Sequence, residues 1–258
     1  MPGPGPGPGP GPGPGPEPGP GPGSGPGPGP GPAKRPTRPY AGRTAADRRA
    51  ERRQRLLDAG LQLFGAGPGY RGTSVAALCA QADLSTRQFY EEFGNLEEVL
   101  AVLHRDGNAR AETAVLAALA EAPEGDVRAR ATAAFRAYTE SAAADPRRIR
   151  VLFAEVVGAG PALERQRIEV RTRWVELIRA EAAAAVARGE VPDRDYRIAA
   201  FAFIAAVNGL LYDWSAGYVR ATAGEIADEL VHLLTGLLRP LDGIATLPQP
   251  SSDDADKP

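Results

Sequence analysis

The chain has one cysteine, Cys79, and two histidines, His104 and His232. A single cysteine excludes an intramolecular disulfide and fits a reducing compartment. With so few histidines and cysteines, on segments of different character, neither a metal cluster nor a Ser-His-Asp constellation is credible, so no metal or cofactor is expected. Lysine is scarce too: Lys34 and Lys257 are the only two, and positive charge rests on arginine. Long apolar runs are missing. The longest, Ile198 to Tyr212, is interrupted by Asn208 and Gly209 and falls short of the roughly 20 residues of a membrane span. The N-terminus carries no apolar segment of the secretory kind, and a cytoplasmic protein without membrane contact is the expectation. The period-two alternation of strands is also absent. Apolar residues recur at helical spacing instead, which makes the fold class all-α.

Two ends of the chain lack the means to fold. Residues 1–32 alternate glycine and proline, broken only by Met1, Glu17 and Ser24. Collagen needs glycine at every third position, so this is no triple helix. Without apolar surface to offset ordering, the tract reads as a disordered tail. At the other end, Asp253-Asp254-Ala255-Asp256 closes an acidic tail. Net charge is −2, but it is unevenly spread. Lys34, Arg35, Arg38, Arg43, Arg48, Arg49, Arg52, Arg53 and Arg55 face only Asp47 and Glu51, a basic arm suited to following phosphates.

No catalytic group of residues assembles, and an enzyme is not expected. Gly65-Ala66-Gly67-Pro68-Gly69 is glycine-rich, yet no strand precedes it and no lysine follows at the required spacing, so it is not a phosphate loop. Carboxylates fall on amphipathic helix faces, where solvation explains them.

What is present concentrates between Arg52 and Leu103. Leu56, Leu57, Leu61, Leu63 and Phe64 share one side of a helix. Thr73 to Ala80 form a second, Gln81-Ala82-Asp83-Leu84 a turn, and Ser85 to Phe93 a third. Ser85 with Gln88 three residues on is a capping box. Phe89 and Phe93 lie one turn apart and should pack toward Leu78 and Leu84. The other face carries Thr86, Arg87, Gln88 and Tyr90, groups able to reach base edges or phosphates. Two short helices joined by a tight turn and braced by a longer one read as a helix-turn-helix, and double-stranded DNA is the first partner to consider.

The ordered set Leu56-Leu57-Asp58-Ala59-Gly60, Leu63-Phe64, Gly69-Tyr70, Thr73-Ser74-Val75, Leu78, Leu84-Ser85, Phe89-Tyr90, Phe93, Gly94-Asn95 and Glu97-Glu98-Val99-Leu100 resembles the DNA-binding domain of the TetR/AcrR family of transcriptional regulators. With that resemblance the candidate DNA-binding residues are Arg52, Arg53, Thr73, Ser74, Ser85, Thr86, Arg87, Gln88 and Tyr90. The chain departs from the family where a basic residue or histidine commonly follows the tyrosine and a cation follows the Gly-Asn pair. It carries Glu91, Glu92 and Leu96 there, which should weaken phosphate contact. That departure motivates an alternative reading, a TetR-fold protein that has lost DNA binding and acts through protein contacts.

Beyond Asn95 the pattern predicts helices to about Ala122, from Asp126 to Ala144, from Asp145-Pro146 to Val157, from Ala162 to Arg188, from Asp193 to Ala216, and from Thr222 to Arg239. The penultimate helix is apolar nearly all round and the last has a broad apolar stripe. The resemblance implies that these two pair with their copies in a homodimer, which would present two recognition helices to a palindromic operator. It also implies a pocket for a small-molecule effector, for which Phe135, Tyr138, Phe153, Trp174, Phe201, Asn208 and Trp214 are the candidate walls. The expected organisation is a Gly/Pro tail and basic arm over 1–42, a helix-turn-helix domain over 43–107, an effector-binding and dimerisation domain over 108–242, and the acidic tail over 243–258. The function implied is a DNA-binding regulator, a repressor released by its effector.

Overall fold

The computed structural model describes residues 44–238 together with Gly3, Gly11, Gly13 and Gly15. The Gly/Pro tract, the arm from Lys34 to Arg43 and the acidic tail, all singled out above, lie outside the described residues. By its contacts the chain divides into residues 1–42 and 43–258. The described helices all fall in the second unit, and no strand occurs among the described residues.

Helix α1 spans Ala45–Gly65 and begins earlier than its apolar pattern. The reason is a capping box: Thr44 Oγ1 accepts from the Asp47 amide at 3.0 Å, and Asp47 Oδ2 accepts from the Thr44 amide at 2.9 Å. Arg48, Arg49, Arg52, Arg53 and Arg55 therefore ride on a helix, not on an arm. Helices α2 (Val75–Ala82) and α3 (Thr86–Glu92) follow, capped by Ser74 and Ser85. Between them Asp83 adopts a left-handed conformation, φ 51°. Asparagine and aspartate tolerate that region better than other side chains. Leu56, Phe64, Leu78, Phe89, Val99 and Leu100 form one wholly buried core with α1, α2, α3 and the start of α4.

Helix α4, Leu96–Glu121, is continuous, so the expected division at 107/108 falls inside one helix. Its inner stripe runs Leu100, His104, Asn108, Ala111, Val115 and Leu119. Helix α5 (Val127–Ala143) packs on α4 and on α9 (Ala223–Leu238), while α7 (Pro161–Ala187) packs on α8 (Arg197–Ser215). Phe203, Leu211, Val175, Ile226 and Leu230 centre a second core.

Two elements differ from the sequence pattern. The helix expected over 145–157 is α-helical only over Pro146–Arg150 (α6), then widens into a π turn over Val151–Glu155. Helix α8 opens at Arg197, four residues later than expected. Tyr196 Oη donates to the Pro192 carbonyl at 2.8 Å, and Asp195 Oδ1 accepts from the Arg197 amide at 2.8 Å, so Asp193 to Tyr196 are used as a turn. Helix α8, with a mean hydropathy of 1.4, is long and apolar enough by length and composition alone to cross a membrane. Its Ala200, Phe203, Ile204, Val207 and Leu211 are buried in the chain's own core.

Candidate DNA-reading face and internal cavity

Helix α3 has seven residues, too few to stand alone, because helix nucleation is costly and isolated short helices are marginal in water. Long side chains from α1 hold it. The Glu92 carboxylate is wholly buried; it accepts from Arg49 Nε at 3.1 Å and from an Arg52 terminal nitrogen at 3.1 Å. Arg53 donates to the Glu92 carbonyl at 2.9 Å, and its guanidinium lies 4.2 Å from the centre of the Phe93 ring. Arg55 completes the set from α1 onto the turn, donating to the Asp83 carbonyl at 2.8 Å and pairing with its carboxylate at 3.0 Å.

This placement sorts the candidate residues. Ser74, Ser85, Thr86, Arg87 and Tyr90 are exposed on one side of the helix-turn-helix, and the Arg87 side chain is 89% exposed. Gln88 is half-buried, with its Oε1 accepting from the Ser85 amide at 2.9 Å. Thr73 is buried, and its hydroxyl donates to the Gly69 carbonyl at 2.7 Å. Arg52 and Arg53 point onto α3 as described. Of the two carboxylates expected to oppose phosphates, Glu92 is turned inward and neutralised by α1. Only Glu91 is left on the outer side, where it pairs with Arg87 at 3.2 Å.

The helices from α4 onward line a cavity of about 160 Å³. Five of the seven expected wall residues line it: Phe135, Tyr138, Phe153, Trp174 and Asn208. Tyr138 and Trp174 meet edge-to-face with ring centres 5.3 Å apart. Burial pushes the Tyr138 phenol well above its usual range, so it is a neutral donor there. Phe201 and Trp214 lie elsewhere. Phe201 sits 40% exposed on the outer side of α8, since only every third or fourth residue of a helix can face inward. Trp214 is drawn to the end of α8, where its Nε1 donates to the Ala221 carbonyl at 2.9 Å.

Several wall residues escaped the sequence reading. Arg130 forms a two-pronged ion pair with Glu181 at 2.8 and 2.9 Å and also donates to the Leu119 and Ala122 carbonyls. His104 and Asn108 interrupt the inner stripe of α4 with polar groups, and that interruption was the available signal. His104 is 4% exposed, and its imidazole is held near a pKa of about 4 by burial and then by Arg167, Arg105 and Arg173. Asn108 Nδ2 donates to the His104 carbonyl at 2.8 Å, and Trp174 Nε1 approaches Asn108 Oδ1 at 3.4 Å.

The π turn joins these two regions. Leu152 and Phe153 line the cavity, while Glu155, two residues on, accepts from the Tyr70 amide at 2.6 Å. Arg150 bridges the same carboxylate at 2.7 Å and the Gly67 carbonyl at 3.2 Å. Arg147 reaches Gln62 at 2.9 Å. Glu97 of α4 in turn caps α7 by accepting from the Leu163 amide at 3.0 Å. A second space of about 140 Å³, between α1, α4 and the π turn, shares Leu152 as a wall. Among the described residues no cluster of histidine, cysteine and carboxylates has the makings of a metal site.

A braced helix-turn-helix with an exposed polar face thus precedes a helical body with a cavity. Residues 124–238 match the tetracyclin repressor-like C-terminal domain. No curated protein is detectably similar in sequence. Solved structures with the same fold include the fatty acid degradation regulator FadR from Bacillus halodurans, at 20% identity, with 73% of this chain and 96% of that one covered and a TM-score of 0.65. Another is FadR from Bacillus subtilis in complex with stearoyl-CoA, at 16% identity, 70% and 96% coverage and a TM-score of 0.60. A third is AibR in complex with isovaleryl coenzyme A and operator DNA, at 19% identity, 70% and 97% coverage and a TM-score of 0.57.

Proposed function

We propose that this regulator binds a palindromic operator as a homodimer, represses the adjacent genes, and leaves the operator when a small, largely apolar effector fills the cavity. Ser85, Thr86, Arg87 and Tyr90 of α3, with Ser74, form the face that enters the major groove, and the arginine reads base edges. Arg52 and Arg53 serve this face at one remove, by fixing α3 against α1. The homodimer forms through α8 and α9, whose outer sides expose Ile198, Phe201, Tyr212 and Leu233 to solvent in the single chain.

The observation that carries the reading is the π turn. A ligand that displaces Leu152 or Phe153 must move Glu155 or strain it, and Glu155 holds the Tyr70 amide at the entrance to α2. Effector and DNA then bias one element in opposite directions, and each lowers the affinity of the other by the same factor. The acyl-coenzyme A ligands of the two relatives above support an effector with an acyl chain. The test selects bound fragments from the source genome with purified full-length protein at low salt. An enriched inverted repeat, lost when octanoyl-CoA is added, is the expected result. Failure to enrich any repeat would overturn the reading and favour a protein partner, to which the exposed Glu91 on α3 also lends itself.

A further inference from the structure

The cavity opens along α7. Of the residues that line it, only Glu164, Ile168 and Arg171 are exposed, and they follow one another along a single face of that helix. They mark the mouth, and the apolar walls of Phe135, Tyr138 and Trp174 lie within.

Charge on the walls is almost balanced. Three arginines and two glutamates line the cavity: Arg130, Arg167, Arg171, Glu164 and Glu181. Arg130 takes Glu181 at 2.8 and 2.9 Å, and Arg167 takes Glu164 at 2.5 Å. His104 adds no charge at neutral pH, because burial and then Arg167, Arg105 and Arg173 hold its imidazole near a pKa of about 4. Burial keeps the Tyr138 phenol protonated. One positive charge is left in excess. It sits on Arg171, which has no ion pair or hydrogen bond among the described residues.

A solvated arginine on a helix surface is ordinary, and Arg165 of α7 is one: exposed, without a partner among the described residues, and not on the cavity wall. Arg171 differs in its place at the edge of an apolar interior. A chain that fills that interior carries its head to this edge, within reach of a guanidinium able to grip two oxygens of a carboxylate or a phosphate. The Arg130–Glu181 pair lies about 15 Å farther along α7 and is already satisfied, so it offers no rival site for an anion.

We infer that Arg171 is a specificity-determining residue that anchors the anionic head, carboxylate or phosphate, of an acyl ligand whose chain fills the cavity. This rests on the reading of the cavity as the effector site and adds to it the charge that is recognised and the residue that recognises it.

The test titrates the full-length protein at neutral pH with octanoate, octanoyl-CoA and 1-octanol, which share a chain length and differ in the head. At least one of the two anions should bind about tenfold more tightly than 1-octanol, the worth of one charge-assisted contact. Added salt should erode that preference. Arg171→Gln should remove both the preference and its salt dependence, Arg171→Lys should keep most of each, and Arg165→Gln should change neither. A loss confined to octanoate assigns the carboxylate and one confined to octanoyl-CoA the phosphate; either supports the inference. Equal affinity for all three probes, no binding of any, a preference that survives Arg171→Gln, or an equal loss in Arg165→Gln would overturn it. Operator release, read separately by fluorescence anisotropy, distinguishes the two claims. An Arg171-dependent preference without release would overturn the effector reading alone, and release by 1-octanol as readily as by the anions would overturn this one alone.

Discussion

The helix-turn-helix and the cavity region are held together by different forces. In the first, three helices of 21, 8 and 7 residues share a small closed core, and α1 grips its short neighbours with arginines that reach a buried carboxylate and two carbonyls. In the second, long helices pack through aliphatic and aromatic side chains and leave space unfilled. The contrast teaches where slack resides. A surface that must match a rigid duplex is fixed by directional bonds, while the region that must admit a guest keeps a void whose walls can shift.

The same substitution made in both regions probes that contrast most strongly. Phe89→Ala removes a fully buried ring of α3 and should cost about 4 kcal/mol, read by urea unfolding. Phe135→Ala borders existing space and is half-buried, so it should cost less than about 2 kcal/mol. Equal losses would erase the distinction. Next in size is Glu92→Ala, which removes the buried carboxylate shared by Arg49 and Arg52 and should cost about 3 kcal/mol and abolish DNA binding. An unaltered melting temperature would mean that the clamp on α3 is ornamental.

His104 gives the cavity region its own dependence on pH. Its folded pKa of about 4 lies below the ordinary imidazole value of 6.5, so the unfolded chain takes up a proton that the folded chain refuses. Stability attributable to this group is greatest above pH 6.5 and falls as the pH drops toward 4. At pH 5 the loss should be roughly 2 kcal/mol relative to neutral pH, and it should vanish from the difference curve between wild type and His104→Gln. A parallel pair of curves would show that the imidazole is hydrated. Smallest for the fold is Arg87→Ala, which should leave unfolding unchanged and lower specific operator affinity by about 1–3 kcal/mol, measured by titration against a scrambled duplex.

Local chemistry made much of this architecture readable beforehand. Caps are statements about three or four neighbouring residues, so Ser85 with Gln88, Asn95 and Asp145-Pro146 marked helix starts that the structure contains. The three-helix core was legible because Leu78, Phe89 and Phe93 recur at helical spacing. What stayed hidden depends on partners far along the chain. Nothing near Glu92 announces that arginines some forty positions earlier will enclose it. The π turn lacks a proline or glycine to signal it, and Gln166, whose side-chain amide meets His104 Nδ1 at 2.9 Å, lies on another helix. Aromatic residues were a good but incomplete guide to the cavity: they do not say which side of α8 faces in, and so Phe201 and Trp214 were included with Phe135 and Tyr138.

Gly65 closes α1 where α6 crosses it, and a methyl group there would sit 2.5 Å from both Cβ and the carbonyl oxygen of Arg147. That separation is well inside van der Waals contact and involves main-chain atoms that cannot rotate away. A saturation library at this codon should return only glycine. Libraries at Gly209 and Gly236, where added atoms meet nothing within 4 Å, should tolerate many residues in the single chain. Codon tolerance at three glycines therefore becomes a readout of whether α1 and α6 remain seated on each other in the living cell.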